Sequence, residues 1–369
     1  MWLKKLTLFQ FKNYAEASLT FVPGVNCLTG KNGAGKTNIL DAIHYLCFTR
    51  SFFNPADAQN IKTGEELMLI QGWFSKSENE QQISVGVKRN QRKSVKCNGN
   101  EYDKLSEHIG LYPLVIIVPG DINYIYEGSE ERRRGMDLVI SQVDKEYMRH
   151  LSGYNKALEQ RNRQLKLFSE GQPFERELLT LWEESLIKSA AYIFEQRKKY
   201  IDEINLLFSE FYQKISSGQE KVQLVYQSQL YDSMLRELFE NNLQRDMVLQ
   251  RTSAGIHKDD LDLQIDAMPL KKFGSQGQQK SYIISLRLAE YQYLKQLLHH
   301  KPLLLLDDIF EKIDDDRAHS LLRLLGTSEF GQIFITDTHL PRVQKAFSDS
   351  ENEVSFFEID HGNIVPLNL

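Results

Sequence analysis

Gly30-Lys31-Asn32-Gly33-Ala34-Gly35-Lys36-Thr37 has the spacing G-x-x-x-x-G-K-[ST] of a phosphate-binding loop. Glycines at 30, 33 and 35 let the backbone curl so that its N–H groups face phosphate oxygens. Lys36 is expected to reach the β- and γ-phosphates of a nucleotide, and the Thr37 hydroxyl to ligate Mg2+. Pro302-Leu303-Leu304-Leu305-Leu306-Asp307-Asp308 places two carboxylates at the end of a buried strand. Asp307 is expected to hold the Mg2+ water shell, and Asp308 to orient or deprotonate the attacking water. Ser275-Gln276-Gly277-Gln278 precedes a long helix. Ser275 is a good N-cap and Gly277 exposes backbone N–H groups, so the segment reads as a second anion-binding helix start. Thr336 or His339, after another apolar run, could sense the γ-phosphate. His257 stands in the polar loop Thr252–Asp260 without a second His or Cys at ligand spacing, so no metal site is read there.

The elements that must position these groups follow from pattern. Val25–Thr29 reads as a strand entering the loop, and Thr37–Phe48 as a helix leaving it, its positive end toward the anion. Leu6–Phe11 and Ala17–Phe21 read as short strands, with Tyr14 between them able to stack on a base or to be buried. Leu67–Phe74, Gln82–Lys88 and Lys93–Asn98 read as an inserted antiparallel sheet, and Asn98-Gly99 as a hairpin turn. Lys88, Arg89, Arg92, Lys93 and Lys96 crowd one hairpin end, either as a contact for a phosphate backbone or as a solvated tip. Leu114–Val118, Leu261–Ile265 and Gly331–Asp337 complete the strands. Arg132-Arg133-Arg134 either grips phosphate or carboxylate or opens a solvated helix.

From about Asp137 to Arg251 the texture changes. Leu151, Tyr154, Leu158, Leu165 and Phe168 recur at heptad-like spacing, as do Trp182, Leu186, Ala190, Ile193, Ile201, Phe208 and Phe211. Gly171-Gln172-Pro173 separates the two runs, which predicts a helical hairpin. Arg149, Lys156, Arg161, Arg163 and Lys166 are expected on a solvated face of the first helix. Tyr231–Gln250 reads as another helix.

The chain has 369 residues and a net charge of −5, so no global basic field exists and any nucleic-acid contact must be local. Three cysteines without C-x-x-C spacing argue against a zinc site and for a reducing compartment. Met1–Leu6 lacks the apolar core of a signal peptide, and the apolar runs are too short to span a bilayer, so no membrane role and a cytoplasmic location are expected.

Taken in order, these motifs resemble the ABC-type ATPase heads of the SMC group, and within it the RecF family of recombination mediators. Phe11-Lys12-Asn13-Tyr14 is similar to that family's F-x-N-Y, Gly30–Asn38 to its G-x-N-G-x-G-K-T-N, and Arg50-Ser51-Phe52 to its R-S-F. Arg132–Arg134, Tyr154–Leu158 with Arg161-Asn162, Ser275–Gln279 and Leu304–Asp308 also match. Gly255–Asp260 stands where the family has G-P-H-R-D-D, Gly135-Met136-Asp137 where an aromatic pair is usual, and Lys312-Ile313-Asp314 where it has E-L-D. The resemblance implies an α/β ABC-type ATPase head, a mixed sheet plus an antiparallel subdomain, with an inserted short coiled-coil-like arm. It divides the chain into 1–125 (head), 126–251 (arm) and 252–369 (head). It implies ATP and Mg2+, DNA at single-strand gaps, RecR and RecO as partners, and support of recombinase loading, replication and SOS induction. ATP would sit between one head's phosphate loop and Ser275–Gln278 of a second head, so that ATP favours a homodimer and slow hydrolysis releases it. Two rival readings are an ATP-gated DNA clamp without turnover and a monomeric phosphate-loop kinase or GTPase.

Overall fold

The computed structural model describes residues 1–76, 79–216, 220–310, 315–348, 350 and 352–367. Asp314 and its neighbours 311–313 lie outside the described residues. Two compact units emerge, one of residues 1–122, 211–219 and 275–369, the other of 123–210 and 220–274.

In the first unit a six-stranded sheet runs in the order Asn363–Leu367, Val354–Asp360, Val25–Thr29, Ile333–Asp337, Leu303–Leu306 and Leu114–Ile117. All neighbours are parallel except the outermost pair. The four strands from Val25–Thr29 to Leu114–Ile117 are buried along their whole length. That is why Leu303–Leu306 and Leu114–Ile117 read as unbroken apolar runs rather than alternating ones. Register pairs Asp337 with Thr29, and Leu306 with Ile335. The phosphate loop and the acidic strand end therefore leave the sheet at the same, carboxyl, edge, where ligands of open parallel sheets bind.

A second, antiparallel sheet has the order Tyr14–Thr20, Trp2–Phe11, Leu67–Lys76, Asn79–Lys88, Ser94–Cys97 and Asn100–Glu101. Its strands alternate, as Ile83, Val85 and Val87 do, because one face is covered. At its basic hairpin end two of the five cations are engaged within the fold. Lys93 donates to the Thr49 carbonyl at 2.7 Å and pairs with Asp57 at 3.0 Å, and Arg89 Nε donates to the Glu65 carbonyl. Lys88, Arg92 and Lys96 are exposed.

The second unit holds the helices Ser129–Val143, Lys145–Ser169 and Leu235–Leu249, the helix Arg176–Ser216 as far as Glu210, and a small sheet, Met268–Pro269, Asp260–Ile265 and Val222–Gln227. Arg176–Ser216 has 41 residues, a rod of about 60 Å at 1.5 Å per residue. Val222–Gln227 is a strand that the sequence reading passed over, although Val222, Leu224 and Tyr226 are buried and alternate with polar or half-buried residues. It pairs antiparallel with Asp260–Ile265. The next helix begins at Leu235 rather than Tyr231, because Ser228 caps a tight turn over Gln229–Tyr231 instead.

The seam of Lys145–Ser169 also differs from expectation. Tyr147, Tyr154, Ala157, Arg161, Leu165 and Phe168 are buried, while Leu151 and Leu158 are only half-buried. Arg161 is not on a solvated face: it is 0% exposed, and it binds Glu183 at 3.0 Å, Asp246 at 2.7 Å and the Thr252 hydroxyl at 2.8 Å. Arg197 is similarly enclosed by Asp137 and Asp259 at 2.9 and 2.8 Å. A buried guanidinium is tolerated only with such pairing. Arg132 also grips carboxylate internally, holding both oxygens of Asp260 at 2.6 and 3.0 Å.

Candidate functional site

The loop conformation depends on its glycines. Gly30, Gly33 and Gly35 have φ of 149°, 80° and 117°. A Cβ on Gly35 would come 2.5 Å from Asn13 Nδ2 and 2.7 Å from the Tyr14 hydroxyl, and one on Gly30 would come 2.2 Å from the Ile359 carbonyl oxygen. Only glycine fits such approaches. The helix Lys36–Phe48 then starts with no side-chain cap and no acid in its first turn. Its start offers positive potential that nothing on its own first turn neutralises. Lys36 is 4% exposed, and its ammonium donates to the carbonyls of Gly30 at 2.7 Å and Lys31 at 3.0 Å. The ammonium therefore folds back over the loop.

The N-terminal hairpin turn braces the loop from outside. Asn13 Nδ2 donates to the Ala34 carbonyl at 3.3 Å, Tyr14 donates to the Gly35 carbonyl at 3.0 Å, and Asn38 Nδ2 donates to Asn13 Oδ1 at 2.7 Å. Tyr14 is fully buried, so it supports the loop rather than stacking on a base. Asp41, 0% exposed on the loop helix, accepts from Lys12 Nζ at 2.6 Å, the Ser51 hydroxyl at 2.6 Å and the Phe52 N–H at 2.7 Å. One buried carboxylate thus ties together the segments that carry the F-x-N-Y, phosphate-loop and R-S-F motifs. Nothing in the spacing of these side chains announces that role. The signal was an aspartate on the apolar stretch of a buried helix, where an unpaired charge is untenable.

Asp307 meets the loop across 270 residues of chain. The Thr37 hydroxyl lies 3.0 Å from each of its carboxylate oxygens, and the Thr336 hydroxyl donates to Oδ1 at 2.7 Å. Burial raises the Asp307 pKa above the ordinary carboxylate range, against the lowering pull of Thr336, Thr37 and the Lys36 charge. Asp308 follows with φ of 42°, and its N–H donates to the Thr336 hydroxyl at 2.9 Å. Thr336 is fully buried and links the two aspartates, which makes it a support for the acidic strand end rather than a surface facing phosphate. His339 is exposed at the start of the helix Leu340–Ala346, and its N–H donates to Asp337, a carboxylate also held by Arg342 at 2.7 Å.

The donor set fits Mg2+. Among the described residues no group of three or more His, Cys, Asp or Glu could hold a metal. A hydroxyl and one desolvated carboxylate, 3.0 Å apart beside an anion-binding loop, suit a small hard ion that keeps waters and takes its other ligands from phosphate.

Ser275–Gln278 forms a capping box in the first unit. The Gln278 N–H donates to the Ser275 hydroxyl at 3.2 Å, and the Ser275 N–H to Gln278 Oε1 at 2.8 Å. Ser275 and Gln276 are exposed, and Gly277 and Gln278 half-buried. Among the described residues, the hydrogen bonds of Ser275 stay within this helix start and do not run to the phosphate loop.

His257 belongs to the fold of the second unit. Its Nδ1 lies 2.8 Å from the Tyr154 hydroxyl and its Nε2 3.0 Å from the Thr252 carbonyl. Burial pushes its pKa down to about 4, as it does that of His44 on the loop helix. Both imidazoles are thus neutral when folded. Because these pKa values are depressed, the unfolded chain binds more protons below about pH 6.5, and stability should fall as pH drops from there toward 4. The urea midpoint at pH 7.0, 5.5 and 4.5 checks this. A His257→Gln, His44→Gln double variant should show a flatter profile over that window.

A parallel sheet with a phosphate loop at its carboxyl edge, an antiparallel sheet beside it and a separate helical unit inserted in the chain define the class: an ABC-type ATPase head of the SMC kind. The family model described as RecF/RecN/SMC N terminal domain matches residues 2–361. The chain belongs to the RecF family. The DNA replication and repair protein RecF of Flavobacterium johnsoniae is 45% identical over 359 residues, 97% of this chain and 100% of that protein. RecF of Phocaeicola vulgatus is 43% identical over 99% of this chain and 98% of its own. The structure of the recombination mediator protein RecF-ATPrS in the RecFOR pathway superposes with a TM-score of 0.88 at 32% identity, covering 99% of this chain and 98% of its own. The Smc head domain of Pyrococcus furiosus bound to ScpA is similar in fold, with a TM-score of 0.58 at 19% identity, 99% of this chain and 96% of its own. Among the described residues no helix is long and apolar enough to cross a membrane.

Proposed function

We propose that this chain is an ATP-dependent DNA-binding protein of recombinational repair, with a nucleotide site completed by a second copy. The observation that carries the reading is the pairing of Thr37 with Asp307 at 3.0 Å, which joins the phosphate loop to the acidic strand end. The similarity to RecF proteins named for DNA replication and repair, and to a recombination mediator protein RecF-ATPrS, supports DNA and ATP as the ligands. RecR and RecO are the partners this reading implies, together with recombinase loading and SOS induction at single-strand gaps. The expected division into a head of 1–125 and 252–369 and an arm of 126–251 differs from the compact units, in which 252–274 belong with the arm helices and 211–219 with the head.

In this mechanism the N–H groups of Gly30–Gly35 cradle the phosphates and Lys36 turns from the Gly30 and Lys31 carbonyls to the β- and γ-oxygens. Thr37 and Asp307 would hold Mg2+, which would supply charge neutralisation for the phosphates. Asp308, whose N–H is held by the Thr336 hydroxyl, accepts the proton of the attacking water. Ser275–Gln278 of the second copy supplies the N–H groups that close over the γ-phosphate. Neither surface alone answers all the charge of a triphosphate, so ATP binds best between two copies and its hydrolysis separates them.

Asp308 is one methylene shorter than a glutamate and reaches less far toward water. Turnover should therefore be slow, below the ~10 s⁻¹ typical of enzymes. Phosphate release, measured alongside binding to single-stranded, duplex and gapped DNA, tests the proposal. ATP should tighten DNA binding. Affinity indifferent to ATP on every DNA, or turnover well above that rate, would contradict it.

A further inference from the structure

The second unit carries a group of cations that, among the described residues, form no ion pair with a carboxylate. Arg245, Arg251 and Lys258 are exposed around the end of the helix Leu235–Leu249 and the turn Ile256–Lys258. Arg133, half-buried on Ser129–Val143, donates to the Asp259 carbonyl at 2.7 Å. The acids in the neighbourhood are each held by a buried arginine instead. Arg161 takes Asp246 at 2.7 Å, Arg197 takes Asp259 and Asp137 at 2.8 and 2.9 Å, and Arg132 takes Asp260 at 2.6 Å. Among the described residues Arg245, Arg251 and Lys258 have no ion-pair partner.

The backbone beneath them is firmly placed. The Thr252 N–H donates to Asn162 at 2.7 Å, the Ser253 N–H donates to Asp246 at 2.9 Å, and the Thr252 carbonyl meets His257 Nε2. The Lys258 ammonium is pushed below its ordinary pKa by partial burial, then by the charges of Arg251 and Arg133, and Arg245 adds to this against Asp246. Like charges brought together in this way cost free energy unless an anion joins them.

We propose that Arg133, Arg245, Arg251 and Lys258 form a contact surface for the phosphodiester backbone of DNA. A chain of net charge −5 attracts a polyanion only through such a local patch. The contact is to backbone and not to bases, because the cations stand on a helix end and a turn and present no element that enters a groove. This assignment rests on the DNA-binding reading above.

The test is the triple variant Arg245→Gln, Arg251→Gln, Lys258→Gln, compared with the unaltered protein on duplexes of different sequence over a salt series. The slope of log affinity against log salt should become shallower by about 1 for each cation removed, with equal loss on every sequence. ATP binding should be unchanged, and thermal stability unchanged or raised, since repulsion is relieved. Lys258→Gln alone, with a slope change of about 1, serves if the triple variant does not fold. Slope and affinity equal to those of the unaltered protein would overturn this surface while leaving DNA binding standing. An unaltered protein that binds no DNA at all would overturn the DNA reading and this surface with it.

Discussion

Lys36→Met should lower ATP affinity by roughly 10²- to 10³-fold while leaving the fold intact. The ammonium is buried at 4% exposure, and without nucleotide it rests on the Gly30 and Lys31 carbonyls. On binding it exchanges two neutral acceptors for charged phosphate oxygens, and charge-assisted bonds contribute about 1.5–3 kcal/mol each. Methionine fills nearly the same volume without a charge, so packing is kept and stability should change by less than ~1.5 kcal/mol. Binding of a fluorescent ATP analogue, read beside the thermal unfolding midpoint, checks both halves. A variant that still binds ATP at the original affinity would place the triphosphate elsewhere.

Asp307→Asn should slow hydrolysis by roughly 10²- to 10³-fold, the scale of losing one preorganised charge at a reaction centre. Asparagine keeps an acceptor for Thr37 and Thr336 but not the charge that holds Mg2+. The same change should leave the fold as stable or make it more so near neutral pH. Burial raises the Asp307 pKa, so the ionised carboxylate is disfavoured in the folded chain above its unfolded pKa, and the neutral amide removes that cost. Activity lost with stability retained or gained marks a group kept for chemistry rather than for folding. Single-turnover phosphate release and urea midpoints measured on one preparation test it, and an unchanged rate would remove Asp307 from the mechanism.

The sequence made the nucleotide-binding elements legible because each has a local cause. Glycine spacing forces the loop, four leucines force a strand buried on both faces, and Ser275 with Gln278 forces a helix start. Pairing across long separations was not legible in the same way. The Thr37–Asp307 contact spans 270 residues, and only the parallel register of Val25–Thr29, Ile333–Asp337 and Leu303–Leu306 brings it about. Arg161 misled because a charged residue on an amphipathic helix is usually solvated, and nothing nearby in sequence announces Glu183 and Asp246 as its partners. Thr336 looked like a sensor for the same reason, since its polar partners are Asp307 and the backbone of Asp308 on a neighbouring strand end. Val222–Gln227 alternates clearly, but six residues after a 41-residue helix carry little weight until the partner strand is seen.

The most direct measurement of the proposed composite site is sedimentation velocity of the unaltered protein and of Ser275→Arg, each with and without ATP and Mg2+. Ser275 is exposed and its hydroxyl caps only its own helix, so arginine there should leave the phosphate loop and ATP binding untouched. The unaltered protein should become dimeric with ATP and remain monomeric without it, whereas Ser275→Arg should bind ATP and stay monomeric. A Ser275→Arg protein that still dimerises with ATP would contradict closure of the site by a second copy's Ser275–Gln278.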